Sequence, residues 1–396
     1  MLRTALRLPA ACFATALALA LPVALVRADD TEKPAEKPKK DTDDASIFAD
    51  WKLCKQRGAK HCRERGEFWA KKASGKDLVW LGKILQRGEE NAKAIQAYEK
   101  FLAYEPTKEE ADLVKKNHPL ARQALIEAYT AVRDWAKTIA ACETFRTEHA
   151  DSSAAIDTWD DQGRANRMLG DDEKALECFA KGAEKQFRAF SDIVDVHLCN
   201  GDVDKARAAV EKYGSNFDKQ PDKLNWMKDL LATIGSPAPA LDVAVGVGPQ
   251  GSEPAKSYEK ATIFFHWSVQ SANIDRKLAK IEQLRRDKAE KVNALAIATY
   301  KKYNVETRKI EAELTQEQEA AGIRKLIDQS DQHLPPCALV PQAFLDAIKI
   351  KWDGQITVVD KEGRLRYARF NEEKAYDLAA LEKVLAKLTE APAAPK

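Results

Sequence analysis

The chain of 396 residues has almost no excess charge, with 64 Lys and Arg against 62 Asp and Glu. Proteins that bind nucleic acid or an anionic membrane surface usually carry a basic excess, so this balance gives no reason to expect either partner. The six histidines are scattered without the short spacings that are typical of metal ligands. The sequence therefore predicts no metal site.

One glycine pattern resembles a dinucleotide-binding loop, but it lacks the context that such a loop needs. Gly246 to Gly251 read GVGPQG and follow a strand-like segment. A dinucleotide site requires a helix to begin within the loop, so that its amides meet the phosphates. Pro249 and Pro254 predict an extended loop instead. No cofactor is expected.

The first residues have the pattern of a secretory signal. Arg3 and Arg7 precede a run rich in Ala and Leu, which ends on the small residues Val26 and Ala28. We therefore predict a signal peptide over residues 1–28 and an exported protein, most simply in the bacterial periplasm or cell envelope. An uncleaved leader would instead hold the protein at a membrane.

Export changes the interpretation of the cysteines, because an oxidising compartment permits disulfides. Cys54 and Cys62 form the nearest pair. On one unbroken helix they would lie about 12 Å apart, so a disulfide requires the helix to be interrupted near Gly58. The sequence is compatible both with a disulfide between Cys54 and Cys62 and with two free thiols. Three further cysteines are expected in the core: Cys142, Cys178 and Cys199.

Composition divides the remaining chain into segments. Residues 29–45 are charged and contain proline, so they cannot bury enough apolar surface to fold and should form a flexible tether. Aromatic residues at helical spacing predict a helical lead-in over residues 46–75. Residues 76–236 repeat a helix-turn-helix pattern, residues 237–390 mix strands with helices, and residues 391–396 form a tail.

Four segments of the helical region align with one another: ENAKAIQAYEKFLAYEP, RDWAKTIAACETFRTEHA, GDDEKALECFAKGAEKQ and GDVDKARAAVEKYG. The third unit is the most complete, with Trp159 and Gly163 on its first helix and Ala175, Phe179 and Gly182 on its second. This pattern resembles tetratricopeptide repeats. The resemblance implies stacked helix pairs that share one core, with the first helices lining a concave groove.

By that resemblance, six residues of the first and third units would face the groove: Lys83, Gln86, Arg87, Asp160, Arg164 and Arg167. The four cations among them could hold a carboxylate or an acidic peptide segment. An ordinary solvated helix face would carry similar residues. The sequence leaves both interpretations open.

The segment over residues 237–390 predicts a small mixed sheet covered by helices. Phe264 to Ser268 read FFHWS before the first helix, and Ile356 to Asp360 read ITVVD before a turn at Gly363. This order resembles the thioredoxin fold, in the branch of exported thiol–disulfide reductases and peroxiredoxin-like proteins. The predicted fold class is thus multidomain, with all-α TPR-like repeats followed by a thioredoxin-like α/β sandwich.

The resemblance implies a Cys-x-x-Cys motif at the N-terminus of the first helix, where amides and the helix dipole lower the cysteine pKa. The two positions fall here at about Ser271 and Ile274. A serine cannot exchange a disulfide, and Ser271 is expected to cap the helix. His266 is a conceivable base for Ser271, but no third group supports it. Asp353-Gly354 stands where the fold usually has a cis-proline, so we expect a redox-inactive domain.

The leading hypothesis is therefore an exported, non-catalytic interaction or scaffold protein, whose repeats bind a protein or peptide. The alternative is an exported thiol–disulfide oxidoreductase or peroxidase. It would use Cys337 in the segment HLPPCALVP, or the pair Cys54 and Cys62. A third possibility, a membrane-anchored assembly factor, requires the leader to remain uncleaved.

Overall fold

The computed structural model describes residues 46–241, 245–248, 256–268, 274–307, 309–330, 333–369 and 378–389. The predicted signal peptide, tether and C-terminal tail lie outside these ranges. Among the described residues, none of the helices combines the length and apolar composition that a bilayer crossing requires.

The N-terminal part of the described chain is helical. Its helices are α1 (Ile47–Cys54), α2 (Ala59–Ala70), α3 (Leu78–Arg87), α4 (Asn91–Leu102), α5 (Ala111–Ala131), α6 (Trp135–Glu148), α7 (Asp157–Met168), α8 (Asp172–Gly182), α9 (Phe187–Cys199), α10 (Val203–Tyr213) and α11 (Pro221–Thr233). Side-chain caps fix several N-termini, since Asp134 and Asp171 each accept a backbone N–H three residues on. The prediction of a helical N-terminal region is confirmed.

Glycines on first helices let the following helices approach closely. A Cβ placed on Gly82 of α3 would lie 2.4 Å from the ring of Tyr98 on α4, and one on Gly163 of α7 would lie 2.5 Å from Phe179 on α8. Both rings are fully buried. Each aromatic ring therefore occupies the space that a larger side chain on the neighbouring helix would need.

The C-terminal part contains a six-stranded mixed sheet in the order β1-β6-β3-β2-β7-β8. The strands are β1 (Val245–Gly246), β2 (Ala261–His266), β3 (Val292–Thr299), β6 (Cys337–Val340), β7 (Ile356–Val359) and β8 (Leu365–Arg369), with a separate pair β4 (Tyr303–Asn304) and β5 (Lys309–Ile310). The central strands β2, β3 and β6 are parallel, while β1, β7 and β8 pair antiparallel. All six residues of β2 are buried, as in a strand covered on both faces.

Four helices accompany the sheet: α12 (Ile274–Asp287), α13 (Gln316–Asp328), α14 (Gln342–Ala347) and α15 (Leu378–Thr389). A mixed sheet with helices confirms the α/β class predicted for this part. The apolar runs at residues 263–267 and 292–299 predict two strands from the sequence. The second is observed with the same bounds as β3, and the first corresponds to β2, which begins two residues earlier.

The hydrophobic core does not stop at the predicted boundary near residue 237. One buried cluster runs from Ala175 on α8 through α9, α10 and α11 into the sheet and α15. A second cluster covers Ile47 to Phe145. Trp226 of α11 joins the two parts directly, because its Nε1 donates to the Lys349 carbonyl at 2.8 Å and its ring meets Trp352 edge-on. The last helices and the sheet therefore stabilise each other.

Candidate functional site

Charged side chains from three elements meet where the helices contact the sheet. We call Arg164, Arg167, Asp192, Asp195, Tyr367 and Arg369 the junction cluster. Arg167 Nη1 donates to Asp195 Oδ2 at 2.6 Å, and the hydroxyl of Tyr367 donates to Asp195 Oδ1 at 2.6 Å. Arg369 Nε lies 3.8 Å from the same carboxylate. Asp195 thus links α7, α9 and β8.

Sequence spacing positions these groups. Arg164 and Arg167 lie one turn apart on α7, and Asp192 and Asp195 lie one turn apart on α9, so each pair shares a helix face. Arg164 Nη2 reaches Asp192 Oδ2 at 2.7 Å, which makes two parallel ion pairs between the helices. On β8, Tyr367 and the residue two further along point to the same side of the sheet.

Buried charge governs the electrostatics of this cluster. Burial alone would raise the pKa of Asp195, but Arg167, Arg369 and the Tyr367 hydroxyl outweigh burial and hold that pKa below its usual value. The pKa of Tyr367 is raised by burial and by the negative charge of Asp195. Asp195 is therefore an ionised acceptor and Tyr367 a protonated donor.

The cavity beside the junction cluster is small. It offers ≈ 20 Å³ to solvent and is lined by residues of α9, α11 and β8, including Asp192, Asp195, Trp226 and Arg369. That volume suits a single water molecule. The cluster therefore has the character of a structural contact and offers no room for an organic substrate.

The third-unit residues predicted to face a groove are paired inside the chain. Asp160 lies 3.4 Å from Arg164 Nε and 2.9 Å from Arg188 Nε, and its side chain is 4% exposed. Arg164 and Arg167 belong to the junction cluster. A partner that bound here would have to break buried ion pairs, so partner binding by these residues stays a prediction.

Of the first-unit residues predicted for the groove, Lys83 and Arg87 lie against α1, whereas Gln86 lies against α4. Arg87 donates from Nε to the Cys54 carbonyl at 2.7 Å and from Nη2 to the Lys55 carbonyl at 2.9 Å. Gln86 accepts from the Tyr98 hydroxyl at 2.9 Å. The Lys83 ammonium lies 6.0 Å from the Trp51 ring centre, and burial lowers its pKa. Their role toward a partner also stays a prediction.

Aromatic and cationic side chains cover the surface of α1 and α3. Phe48 packs against Trp80 with ring centres 4.6 Å apart, and Lys52 Nζ lies 4.5 Å from the Phe48 ring centre. Lys55 Nζ lies 5.4 Å from the centre of the Trp51 ring. We call this surface the α1–α3 face. The sequence predicts only that the aromatic residues of the lead-in pack against the following helices. It gives no sign of a binding surface, because cations next to aromatic residues also occur on ordinary solvated helices.

The thioredoxin-like motif positions are only partly described. Ser271 lies outside the described residues, and Ile274 is where α12 begins. Nearby, His266 Nδ1 donates to the Trp352 carbonyl at 2.9 Å, and Gly354 N donates to the His266 carbonyl at 2.7 Å. Asp353-Gly354 therefore lies beside the end of β2, and the peptide bonds of the described residues are all trans.

His266 is neutral in this setting. Burial lowers its pKa, and the Trp352 carbonyl and Asp353 oppose that effect only in part. Because a carbonyl can only accept, Nδ1 carries the proton, and Nε2 has no hydrogen-bond partner within the described ranges. The imidazole could accept a proton at Nε2.

Cys337 on β6 is fully buried. Its thiol donates to the Pro335 carbonyl at 3.2 Å, and burial together with the negative charge of Glu282 raises its pKa far above the usual range. A reactive cysteine needs a thiolate and solvent access. Cys337 has the environment of an inert core thiol.

Cys54 is the last residue of α1, and Cys62 lies near the start of α2. The helix is therefore interrupted before α2 begins after Gly58, as a disulfide between the two would require. Both side chains are buried and free, with Cys62 Sγ 3.5 Å from the Cys54 carbonyl. Burial and the neighbouring thiol raise the pKa of Cys54 to about 12. The disulfide between them stays a prediction.

Comparison with known proteins adds similarity to part of the chain. No family model and no curated protein matches it. Among solved structures, a thioredoxin-like protein in the oxidised form is 19% identical, with a TM-score of 0.27, over 39% of this chain and 97% of its own. The exposed lipoprotein thioredoxin of Streptococcus pneumoniae strain TIGR4 is 13% identical, with a TM-score of 0.28, over 37% and 99%.

A third similar structure, BtubC from P. vanneervenii, is 14% identical, with a TM-score of 0.32, over 46% of this chain and 81% of its own. These scores are too low to carry an argument about function. The two thioredoxin structures are nonetheless structural neighbours of part of this chain, and the N-terminal region of the chain is largely helical.

Proposed function

We propose that this protein is an exported, non-catalytic scaffold, in which TPR-like repeats are joined to a redox-inactive thioredoxin-like domain. The observation that carries this proposal is the environment of Cys337, which is the only cysteine of residues 237–390. Its full burial and raised pKa remove the thiolate that disulfide exchange requires. The described cysteines of the helical part are buried as well.

The junction cluster supports the scaffold interpretation. Here β8 and α11 hold the sheet against the repeats through the Arg369–Asp195 ion pair, the Tyr367–Asp195 hydrogen bond and Trp226. Such contacts favour a fixed relative position of sheet and repeats. A fixed position is useful for presenting a binding surface, and we infer that the sheet domain is retained for this purpose.

The α1–α3 face is the surface that we propose for the partner, and its chemistry favours an acidic peptide segment with apolar side chains. Lys52, Lys55 and Lys83 surround aromatic rings, and Phe48 is 40% exposed. The acidic residue of α1, Asp50, is buried and paired with Arg65, so it does not neutralise the outer surface. Cations beside exposed aromatic rings attract carboxylates while the rings bury apolar groups.

Fluorescence anisotropy with a labelled peptide of alternating Glu and Leu tests this surface. The double variant Lys52→Glu/Lys83→Glu should bind at least about tenfold more weakly than the wild type, and added salt should weaken wild-type binding. Lys205→Glu on α10 is the matched control, because Lys205 is exposed and already pairs with Asp202. Equal loss in the control and the double variant would reject the α1–α3 face.

A second candidate function is thiol–disulfide exchange through Cys54 and Cys62. The observation in its favour is that two free thiols lie on successive helices, which are separated by a short non-helical segment. Because both are buried, exchange would require α1 and α2 to separate. Insulin reduction that is lost in Cys54→Ser but kept in Cys337→Ser would support this function over the scaffold.

A further inference from the structure

His118, Glu148 and His149 meet between two neighbouring helices, although the sequence separates the two histidines by 31 positions. His118 lies on α5, Glu148 is the last residue of α6, and His149 caps that helix. His118 Nδ1 lies 3.0 Å from His149 Nε2. Glu148 Oε2 lies 3.9 Å from the former nitrogen and 4.0 Å from the latter.

These three atoms form a triangle with one short side and two longer, nearly equal sides, which has the size that a metal ion requires. The point in the plane of this triangle that is equally distant from the three atoms lies about 2.1 Å from each. This is the distance at which Zn²⁺ binds imidazole nitrogen and carboxylate oxygen. Tetrahedral ligand atoms stand about 3.3 Å apart, so Glu148 would need to approach by only a fraction of an ångström. We propose that His118, Glu148 and His149 bind one divalent transition-metal ion of the zinc class.

His118 and His149 share a hydrogen bond through the two proposed ligand nitrogens, so the nitrogen that donates must lose its proton, or pass it to the other nitrogen of its ring, when a metal binds. Glu148 is one-third exposed, so solvent could supply the fourth ligand.

Surrounding side chains orient the three ligands. Arg122 lies one turn after His118 and donates from Nε and Nη2 to the two oxygens of Glu148 at 2.8 and 2.7 Å. Phe145 is fully buried and meets the His149 ring edge-on with ring centres 5.2 Å apart. Groups that hydrogen-bond a ligating carboxylate orient it toward the metal. Oε1 accepts from Nη2, while Oε2 accepts from Nε through one lone pair and keeps its other lone pair for the ion.

The ion would connect α5 to α6 and so stabilise the helical region. This role is independent of the α1–α3 face and of any thiol chemistry. The sequence predicted no metal site because the histidines lack short spacings, and His118 meets His149 only when α5 packs against α6.

Calorimetric titration of the chelator-treated, full mature protein with Zn²⁺ tests this site, and Co²⁺ absorption reports its geometry. We expect one equivalent to bind, intense tetrahedral Co²⁺ bands, and a Tm that rises with added Zn²⁺. His118→Gln and His149→Gln should each weaken binding by at least about a hundredfold. His333→Gln changes an exposed histidine elsewhere and should bind like the wild type.

Circular dichroism of the metal-free variants shows whether they fold. A folded His149→Gln variant that binds Zn²⁺ as tightly as the wild type would overturn the proposal, as would a wild type that binds no Zn²⁺. If a substitution prevents folding, Glu148→Gln keeps the side-chain volume and tests the same site. Unchanged affinity in Glu148→Gln would remove the carboxylate from the proposed ligand set.

Discussion

Replacing Asp195 with alanine should destabilise the protein strongly, because this carboxylate neutralises two buried guanidinium groups. Its side chain is 7% exposed, and that of Arg167 is 9% exposed. Removing one partner of a buried ion pair typically costs about 3–5 kcal/mol. The Tyr367 hydrogen bond is lost as well, and bonds to charged groups contribute about 1.5–3 kcal/mol each. Because these contributions are not additive, we expect a total loss of about 4 kcal/mol.

Urea unfolding measures this loss. Far-UV circular dichroism follows mainly the helices, while fluorescence includes Trp226 at the contact between α11 and the sheet part. The two transitions should coincide in the wild type and separate in Asp195→Ala, because the cluster joins the two parts. Asp204→Asn is the matched control, since its pair with Arg207 is exposed and should change stability by less than about 0.5 kcal/mol. A loss below about 1 kcal/mol in Asp195→Ala would refute this role of the cluster.

Three further predictions address packing, ionisation and thiol access. Gly163→Ala should cost about 1–3 kcal/mol, because its Cβ would meet the Phe179 ring, whereas Gly58→Ala has open space and should be nearly neutral; thermal unfolding compares the two. Since the folded pKa of Asp195 lies below its unfolded value near 4, its contribution to stability is present above about pH 4 and lost as pH falls further, so Asp195→Asn should show a flatter decline in unfolding free energy between about pH 4 and pH 2. A thiol reagent should label the six described cysteines slowly in native buffer and quickly in denaturant, because all of them are buried; fast native labelling would contradict their burial.

The sequence allowed the classes of both parts to be predicted, because each depends on local periodicity. Apolar residues at helical spacing predicted the helical region, and the runs at residues 292–299 and 356–360 predicted strands close to the observed ones. Glycine and aromatic pairs such as Gly163 and Phe179 were recognisable because their spacing within a unit is fixed. The family of the repeats and the thioredoxin-like sandwich stay proposals.

The contacts between distant segments could not be predicted. Arg167 could be assigned to a helix face, but nothing local shows that Asp195 and Tyr367 meet it, since they lie on α9 and β8. The same holds for His118 and His149, which approach only through packing of α5 against α6. Charged residues on one helix face look alike in sequence whether they are solvated or buried against another element.

The most direct test of the central claim is turnover by the purified mature protein in insulin-reduction and peroxide-consumption assays. The account predicts no turnover above the uncatalysed rate for the wild type and for Cys337→Ser, because the Cys337 thiol is buried and protonated. Turnover by the wild type that disappears in Cys337→Ser would contradict it.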